Sequence, residues 1–522
     1  MLKRLNNPTY YSWFIFSFAL ISYLFNIGGS SIYILDEAKN ATCAAEMFTR
    51  GDLVVPTFNH ELRTDKPPLH YFFMMLSYSI FGVNAFAARF FSAVFGALTI
   101  LISFLFARRY HSEKVGLWTA FVLLASIHLN IQFHLAVPDP YLIFFFTASI
   151  FSFYAAVKEK RFVYLLLLYA SVGLGTLSKG PVAIGLPGLI FLLFLIFSKR
   201  FKWSEIKQLR PFLGAAIVLV IALPWYVLVH LKTNGLWSEG FFFKHNLGRF
   251  SSEMEGHGGI FLITILFVLL GLFPFSAFIV QALKKAFANR KDDFTLLSLV
   301  AGLTIVVFFS ISRTKLPNYT VPAYPYFAIL LGLWLAQLNF NFAKPKASMI
   351  GLLVFGIILI PALYIGISFD PALAHLNFLA WYFLPIPLGF IVAYYLFSKG
   401  RLRLAIKLTG LSSLLGALSF IALVFPKIDQ ENPVAQSLHL LQGKEVRYFE
   451  KFNPSYSFYL QKEIKQLEAD QFSNFFDEYP DGVIISTKRK IEGVPLPEGV
   501  EILFSARDIM ERPTTVLLMR ND

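Results

Sequence analysis

The chain has 522 residues, of which 56% are hydrophobic, 17% aromatic and only 15% charged, and its mean hydropathy is +0.60. Soluble domains carry about 25% charged residues, so neither a soluble globular enzyme nor a disordered chain fits, and the 59 Phe suit a surface that faces lipid. The net charge of +14 invites a nucleic-acid reading, while the single cysteine, Cys43, excludes an intrachain disulfide framework and any cysteine-based zinc cluster.

A spanning helix needs about 20 apolar residues. In chain order, stretches of that kind lie near 11–30, 86–107, 115–137, 138–157, 163–178, 181–197, 211–231, 260–282, 294–311, 319–338, 348–368, 376–397 and 404–425. They predict an all-α polytopic membrane body of about thirteen transmembrane helices over residues 1–425. No cleavable signal peptide is expected, because the first stretch is as long as a span and no small-residue cleavage site follows it. Residues Pro67–Gly82 are also apolar, but they make a helix of about 24 Å, short of the roughly 30 Å hydrocarbon core. They read as a re-entrant or interfacial helix entered through Pro67 and Pro68, which suit a helix start.

Charge orients this body. With thirteen spans and a cytoplasmic N-terminus, the inner loops hold 22 Lys and Arg and the outer loops only 10. That bias is the positive-inside pattern, and counting 67–82 as a full span would reverse it for every later loop. The basic excess is therefore an orientation device, the bilayer is the partner it implies, and nucleic acid is not. Two large outer loops result, Ser31–Ala85 and Lys232–Gly259.

The tail differs in composition. Residues 426–522 carry 28 of the 78 charged residues, which predicts a small soluble α/β domain on the outer side. Strand-like runs cover Glu445–Phe452, Val483–Ser486 and Thr514–Met519, and a polar helical stretch lies near Tyr459–Phe476.

The spans are nearly free of charge away from their ends, unlike the ion and proton pathways of transporters. Polar residues gather at the outer face instead: Asp36-Glu37, Asp65-Lys66-Pro67-Pro68, Asp139, Ser178-Lys179-Gly180-Pro181, His245, Arg249, His257, and Ser312 to Tyr319 with Arg313 and Lys315. Each alone has a plain structural reading. Asp36 and Asp139 suit helix N-caps, the lysines and arginines suit snorkelling at the interface, and the histidines, 12 apart, form no metal motif. Lys66 and Lys179 stand out, because they sit where the positive-inside rule disfavours them.

The order of these segments carries a resemblance. ILDEAKNATCAAEMFTRGDLVVPTFNHELRTDKPPLHYFFMMLSYSIFGVNAFAARFFSAVFGALT, HLAVPDPYLIFFF, LSKGPVAIGLPGL, LPWYVLV followed by GFFFKHNLGRFSSEMEGHGG, and ISRTKLPNYTVPAYPYFAILLG run from about residue 31 to 332. Together they resemble a GT-C glycosyltransferase of the lipid A aminoarabinose transferase and protein O-mannosyltransferase superfamily. Beyond residue 332 the likeness is one of architecture.

The resemblance implies a bacterial inner-membrane enzyme that takes a sugar from a polyprenyl-phosphate donor and inverts the anomeric centre. The acceptor hydroxyl or phosphate would belong to a glycolipid such as lipid A, a protein, or another envelope glycan. Asp36 matches the catalytic acid and would be the general base. Glu37 and Asp139 match acids flanking the same cavity, able to orient the acceptor or Asp36. Lys66, Lys179, Arg249, Arg313 and Lys315 are candidates for the donor phosphate, and Asp65, His245, His257 and Tyr319 for the pocket wall. A divalent cation is allowed, though no cofactor is required. Asp65 stands where the family often has Glu, which loosens the transfer of a role to it. Phe241–Phe243 and Gly256–Gly259 suggest a loop that closes over substrate. A transporter or flippase of a lipid-linked glycan has the same size and stays as the alternative.

Overall fold

The computed structural model describes residues 8–248, 259–338, 345–509 and 513–521. Among them, nine helical segments are long and apolar enough to cross a membrane: Ala85–Tyr110, Asp139–Glu159, Phe162–Lys179, Trp203–Lys232, Asp293–Ile311, Pro317–Ala336, Lys346–Ser368, Ala374–Ser398 and Leu402–Asp429. A tenth arises if Leu262–Gly271 and Phe275–Ala288, bent by 114°, count as one. Three shorter apolar helices, Tyr10–Leu24, Leu69–Phe81 and Val182–Phe197, fall on the first expected span, the re-entrant segment and the sixth span.

Two of the thirteen expected stretches are interrupted. The stretch 115–137 is not one helix: it runs Glu113–Leu124 and restarts as Ile127–Gln132. The stretch 260–282 is the bent pair, broken before Pro274, which cannot donate a backbone hydrogen bond. The first break supplies partners to itself and to the second. Ser126 Oγ donates to the Gly271 carbonyl at 2.6 Å, and Asn130 Nδ2 donates to the carbonyls of Leu124 and Ser126 at 2.8 and 2.9 Å. Backbone freed at bilayer depth must find such partners.

Helices 211–232 and 346–368 turn most of their side chains outward, among them Phe212, Val220, Leu231, Ile357 and Ile358. These exposed apolar faces are what a lipid surround requires. The central core is aromatic and aliphatic, with Tyr23, Phe104, Phe133, Phe153 and Phe194 fully buried.

Two antiparallel helices set the geometry of one end of the bundle. Asp139–Glu159 runs away from that end, turns at Lys160 in the left-handed region (φ +55°), and Phe162–Lys179 returns. Asp139 and Lys179 thus meet there, while Lys158 and Arg200, both 2.6 Å from Asp293, mark the opposite end.

At the Asp36 end, helix Leu35–Arg50 packs Ala38, Ala41, Ala44 and Met47 against Tyr71, Met74 and Tyr78 of helix Leu69–Phe81. It stops at Gly51, whose φ of +65° is the left-handed cap that glycine adopts without strain. A short hairpin follows, β1 (Thr57–Phe58) and β2 (Glu61–Leu62), joined by Asn59 and His60, both with positive φ as a tight hairpin turn demands.

The tail forms a five-stranded sheet of β3 (Val446–Tyr448), β4 (Lys465–Gln466), β5 (Val483–Thr487), β6 (Val500–Arg507) and β7 (Thr514–Arg520), in the order β4-β3-β5-β7-β6. β3 is parallel to β4 and β5, and β7 is antiparallel to β5 and β6. The expected helix across 459–476 is replaced by helices Ser455–Leu460 and Phe472–Glu478 with β4 between them. Gln461, at φ +49°, ends the first of these, and the polar segment after it adds an edge strand to the sheet.

Candidate active site

Asp36 is the second residue of helix Leu35–Arg50, and Glu37 follows it. The N-cap is Ile34, which offers no side-chain bond, so the capping reading of Asp36 is not realised. Asp139 likewise opens its helix behind Pro138 without capping it.

Asp36 faces three cations. Arg63 Nη2 lies 3.7 Å from one carboxylate oxygen and Lys66 Nζ 3.9 Å from the other, and the Lys179 charge also acts on it. Its side chain keeps 47% of its exposure, whereas Arg63 and Lys66 keep 4% and 9%. Partial burial pushes its pKa up, but Lys66, Arg63 and Lys179 outweigh that and hold it below the usual carboxylate value. The result is an accessible carboxylate, ionised at neutral pH, held by charges rather than by close hydrogen bonds.

Asp65 joins from the loop after β2. It lies 3.4 Å from Arg63 and accepts from His245 Nε2 at 2.9 Å. Burial raises its pKa, yet the His245 hydrogen bond and the Arg63 charge win and depress it strongly. His245 sits in the helical turn Gly240–Gly248, where Phe241 is buried and Phe243 exposed.

The antiparallel hairpin supplies the rest. Lys179 Nζ donates to Asp139 Oδ1 at 2.6 Å, Asn318 Nδ2 donates to the same oxygen at 3.2 Å, and Lys179 lies over the Tyr319 ring, 5.3 Å from its centroid. Gly180 is required here. Its φ is +78°, and an added Cβ would stand 2.5 Å from the Phe241 ring.

Asp36, Asp65, Lys66, Asp139, Lys179, His245 and Tyr319 thus come together in one charged group. Glu37 does not join them. It is fully buried, bound by Arg89 Nε and Nη2 at 2.7 and 2.8 Å, and accepts the Ala136 N–H at 2.8 Å. Lys315 is buried and donates to the Ser312 carbonyl of its own loop at 2.5 Å, and Arg313 is exposed. Arg249, His257 and most of the expected Gly256–Gly259 closure lie outside the described residues.

Sequence reasoning missed Arg63 and Asn318. Arg63, within ELRTDKPP, looked like any outer-loop arginine. Its signal was its place two residues before Asp65, in a turn that leads straight back under Asp36. Asn318 was legible only as part of the polar run before Tyr319.

Residues 65–228 match the family model described as dolichyl-phosphate-mannose-protein mannosyltransferase. An uncharacterized protein of Aquifex aeolicus is 27% identical over 91% of this chain and 87% of its own length. The undecaprenyl phosphate-alpha-4-amino-4-deoxy-L-arabinose arabinosyl transferase of Pseudomonas aeruginosa is 30% identical over 60% of this chain, and the second such transferase of Pseudomonas fluorescens 29% over 61%. The matched region spans 58% of the length of each of these two enzymes. The crystal structure of ArnT from Cupriavidus metallidurans bound to undecaprenyl phosphate superposes with a TM-score of 0.82 over 98% of both chains, at 22% identity. The two share the fold.

The family match, the relatives and the shared fold together support the GT-C superfamily of lipid A aminoarabinose transferases and protein O-mannosyltransferases. This GT-C protein is a multi-pass membrane glycosyltransferase, which decides between the enzyme and the lipid-linked-glycan transporter that its size left open. Asp65 and His245 are two donors that could face a divalent cation, but they are bonded to each other. Among the described residues no three His, Cys, Asp or Glu gather as a ligand set in this GT-C transferase.

Proposed function

We propose that this GT-C transferase moves a sugar from an undecaprenyl-phosphate-type donor to a hydroxyl of an acceptor glycolipid on the extracytoplasmic face of the inner membrane, with inversion. The observation that carries the proposal is the half-exposed Asp36 carboxylate within 4 Å of Arg63 and Lys66.

Asp36 takes the proton of the acceptor hydroxyl as the oxygen attacks the anomeric carbon. A hydroxyl has a high pKa, so the base must be ionised and within hydrogen-bond reach at that moment. The leaving group is a lipid phosphate whose negative charge grows as the glycosidic bond breaks. Lys66 and Lys179 offset that charge in a poorly solvated place, where such contacts count for more than in water. Lys179 is paired with Asp139 before donor arrives, so the phosphate competes with or shares that pair. Asn318, on the same Asp139 oxygen, keeps the carboxylate bonded when Lys179 turns to the phosphate. The relatives named above act on undecaprenyl-phosphate-linked 4-amino-4-deoxy-L-arabinose, which makes that donor, with lipid A as acceptor, the first pair to test.

Asp36→Asn keeps size and removes the charge. Transfer from labelled donor should fall about 10²–10⁴-fold, the usual worth of general-base catalysis, while undecaprenyl phosphate still binds. Asp139→Asn is the comparison. If it abolishes transfer while Asp36→Asn leaves the rate intact, Asp139 is the base and the assignment is wrong. Mass spectrometry of lipid A, glycoproteins and polysaccharide from cells with and without the gene identifies the acceptor.

A further inference from the structure

Among the described residues Asp36 has long ion pairs and no close hydrogen bond to fix its carboxylate, so its position depends on how its helix is held. The segment that leads into that helix, Ser31–Ile34, has no helix or strand of its own, yet its backbone groups are bonded from two sides.

On one side stands the membrane body. Arg89 donates to the carbonyls of Ile27, Ser30 and Ser31 at 3.0, 2.9 and 2.7 Å, and its other edge holds Glu37. On the other side stand residues some 400 positions later. Asp429 accepts the Ser31 N–H and the Ser31 hydroxyl, both at 2.6 Å, and Asn432 Nδ2 donates to that hydroxyl at 3.1 Å. The Tyr459 hydroxyl accepts the Ile32 N–H at 2.8 Å, and Ser455 Oγ donates to the Tyr33 carbonyl at 3.3 Å. Beyond the Asp36 helix, Asn59 at the hairpin tip pairs with the Ile464 backbone in both directions, each at 2.9 Å. Phe458 packs with Ala38 and Ala41 on the helix itself.

Buried backbone groups need such partners: residues 426–522 supply them to the segment before the helix, and beyond the helix the Asn59 side chain supplies them to Ile464. We infer that the C-terminal domain is a positioning element for catalysis. Asp429 and Tyr459 set the pose of the helix that carries Asp36, with Asn432 and Asn59 in support. None of the four touches the cationic group around Asp36. A displacement of 1 Å at a reacting group can cost about 100-fold in rate, so a clamp on three residues, Ser31, Ile32 and Tyr33, has catalytic weight out of proportion to its bonds.

The inference rests on Asp36 being the base. The test uses full-length enzyme in detergent, labelled undecaprenyl-phosphate-linked sugar and lipid A. Tyr459→Phe keeps the ring and deletes one hydroxyl, and Asp429→Asn keeps the shape. Together they should lower kcat at least about 10-fold, leaving donor KM and undecaprenyl phosphate binding within about 2-fold. Placed on Asp36→Asn, they should cost nothing further, because residues that act through one another are not additive. Asp370→Asn breaks a different contact to the same domain, the 3.5 Å pair with Arg507, and should leave kcat unchanged. If the double variant does not fold, Tyr459→Phe alone carries the same test. Normal kcat in folded clamp variants, or an undiminished further loss on Asp36→Asn, overturns the clamp while the base stands. Wild-type transfer by Asp36→Asn itself overturns the base, and the clamp with it.

Discussion

Replacing Lys66 by Met tests two consequences of one charge. Lys66 Nζ lies 3.9 Å from Asp36. Two unit charges at that separation interact by about 1 kcal/mol in water and about 4 kcal/mol at an effective dielectric of about 20. Asp36 is 47% exposed, so the value falls toward the lower end, about 1.5 kcal/mol. The sign follows from the depressed pKa of Asp36. The base stays ionised down to acidic pH in the native enzyme, and removing Lys66 lets burial raise its pKa. The acid limb of kcat against pH should therefore move to higher pH in Lys66→Met. The second consequence is at the donor. A charged hydrogen bond to phosphate is worth about 1.5–3 kcal/mol, so undecaprenyl phosphate should bind about 10- to 150-fold more weakly. Single-turnover rates at saturating donor across pH isolate the first effect, and titration with undecaprenyl phosphate isolates the second. An unmoved acid limb would refute the coupling of Lys66 to the base, and unchanged donor affinity would place the phosphate elsewhere.

Glu37 and Arg89 form a pair with 1% and 2% exposure, and breaking a buried ion pair costs about 3–5 kcal/mol. Glu37→Gln should thus lower the thermal midpoint clearly while kcat per folded molecule stays within about 3-fold; a stable variant that loses about 100-fold in transfer would return Glu37 to the reaction. Orientation is checked by thiol labelling. Cys43 is fully buried and should be silent to an impermeant reagent. In cells with an opened outer envelope Glu492→Cys should label, and Lys207→Cys should stay unlabelled until the inner membrane is broken. Labelling of the 207 site first would invert the topology.

The membrane body was legible because lipid leaves the chain so few solutions: apolar stretches of about 20 residues must be helices. The shortness of the helix behind Pro68 was legible too, and Leu69–Phe81 has 13 residues. Breaks were not. Nothing in 115–137 marks the interruption after Leu124, because what permits it is Ser126 meeting Gly271, 145 positions away. Hydropathy averages over a window and cannot see a distant partner.

The candidate site divides in the same way. Local chemistry and the order of the motifs determined which segments carry polar groups to one end of the bundle: Asp36, Asp65-Lys66, Asp139, Lys179 and Tyr319. Tertiary structure decided which of them share a charge. Asp36 and Glu37 are adjacent in sequence, yet on a helix neighbours point about 100° apart. One therefore reaches the cations at 3.7 and 3.9 Å, and the other is buried against Arg89. Arg63 gained its place beside Asp36 and Asp65 only because a hairpin turns the chain back under the helix. The charged, sheet-forming tail was legible by composition, but its hold on Ser31–Tyr33 depends on hydrogen bonds between groups about 400 residues apart. A sequence lists such partners, and only the fold brings them within 3 Å.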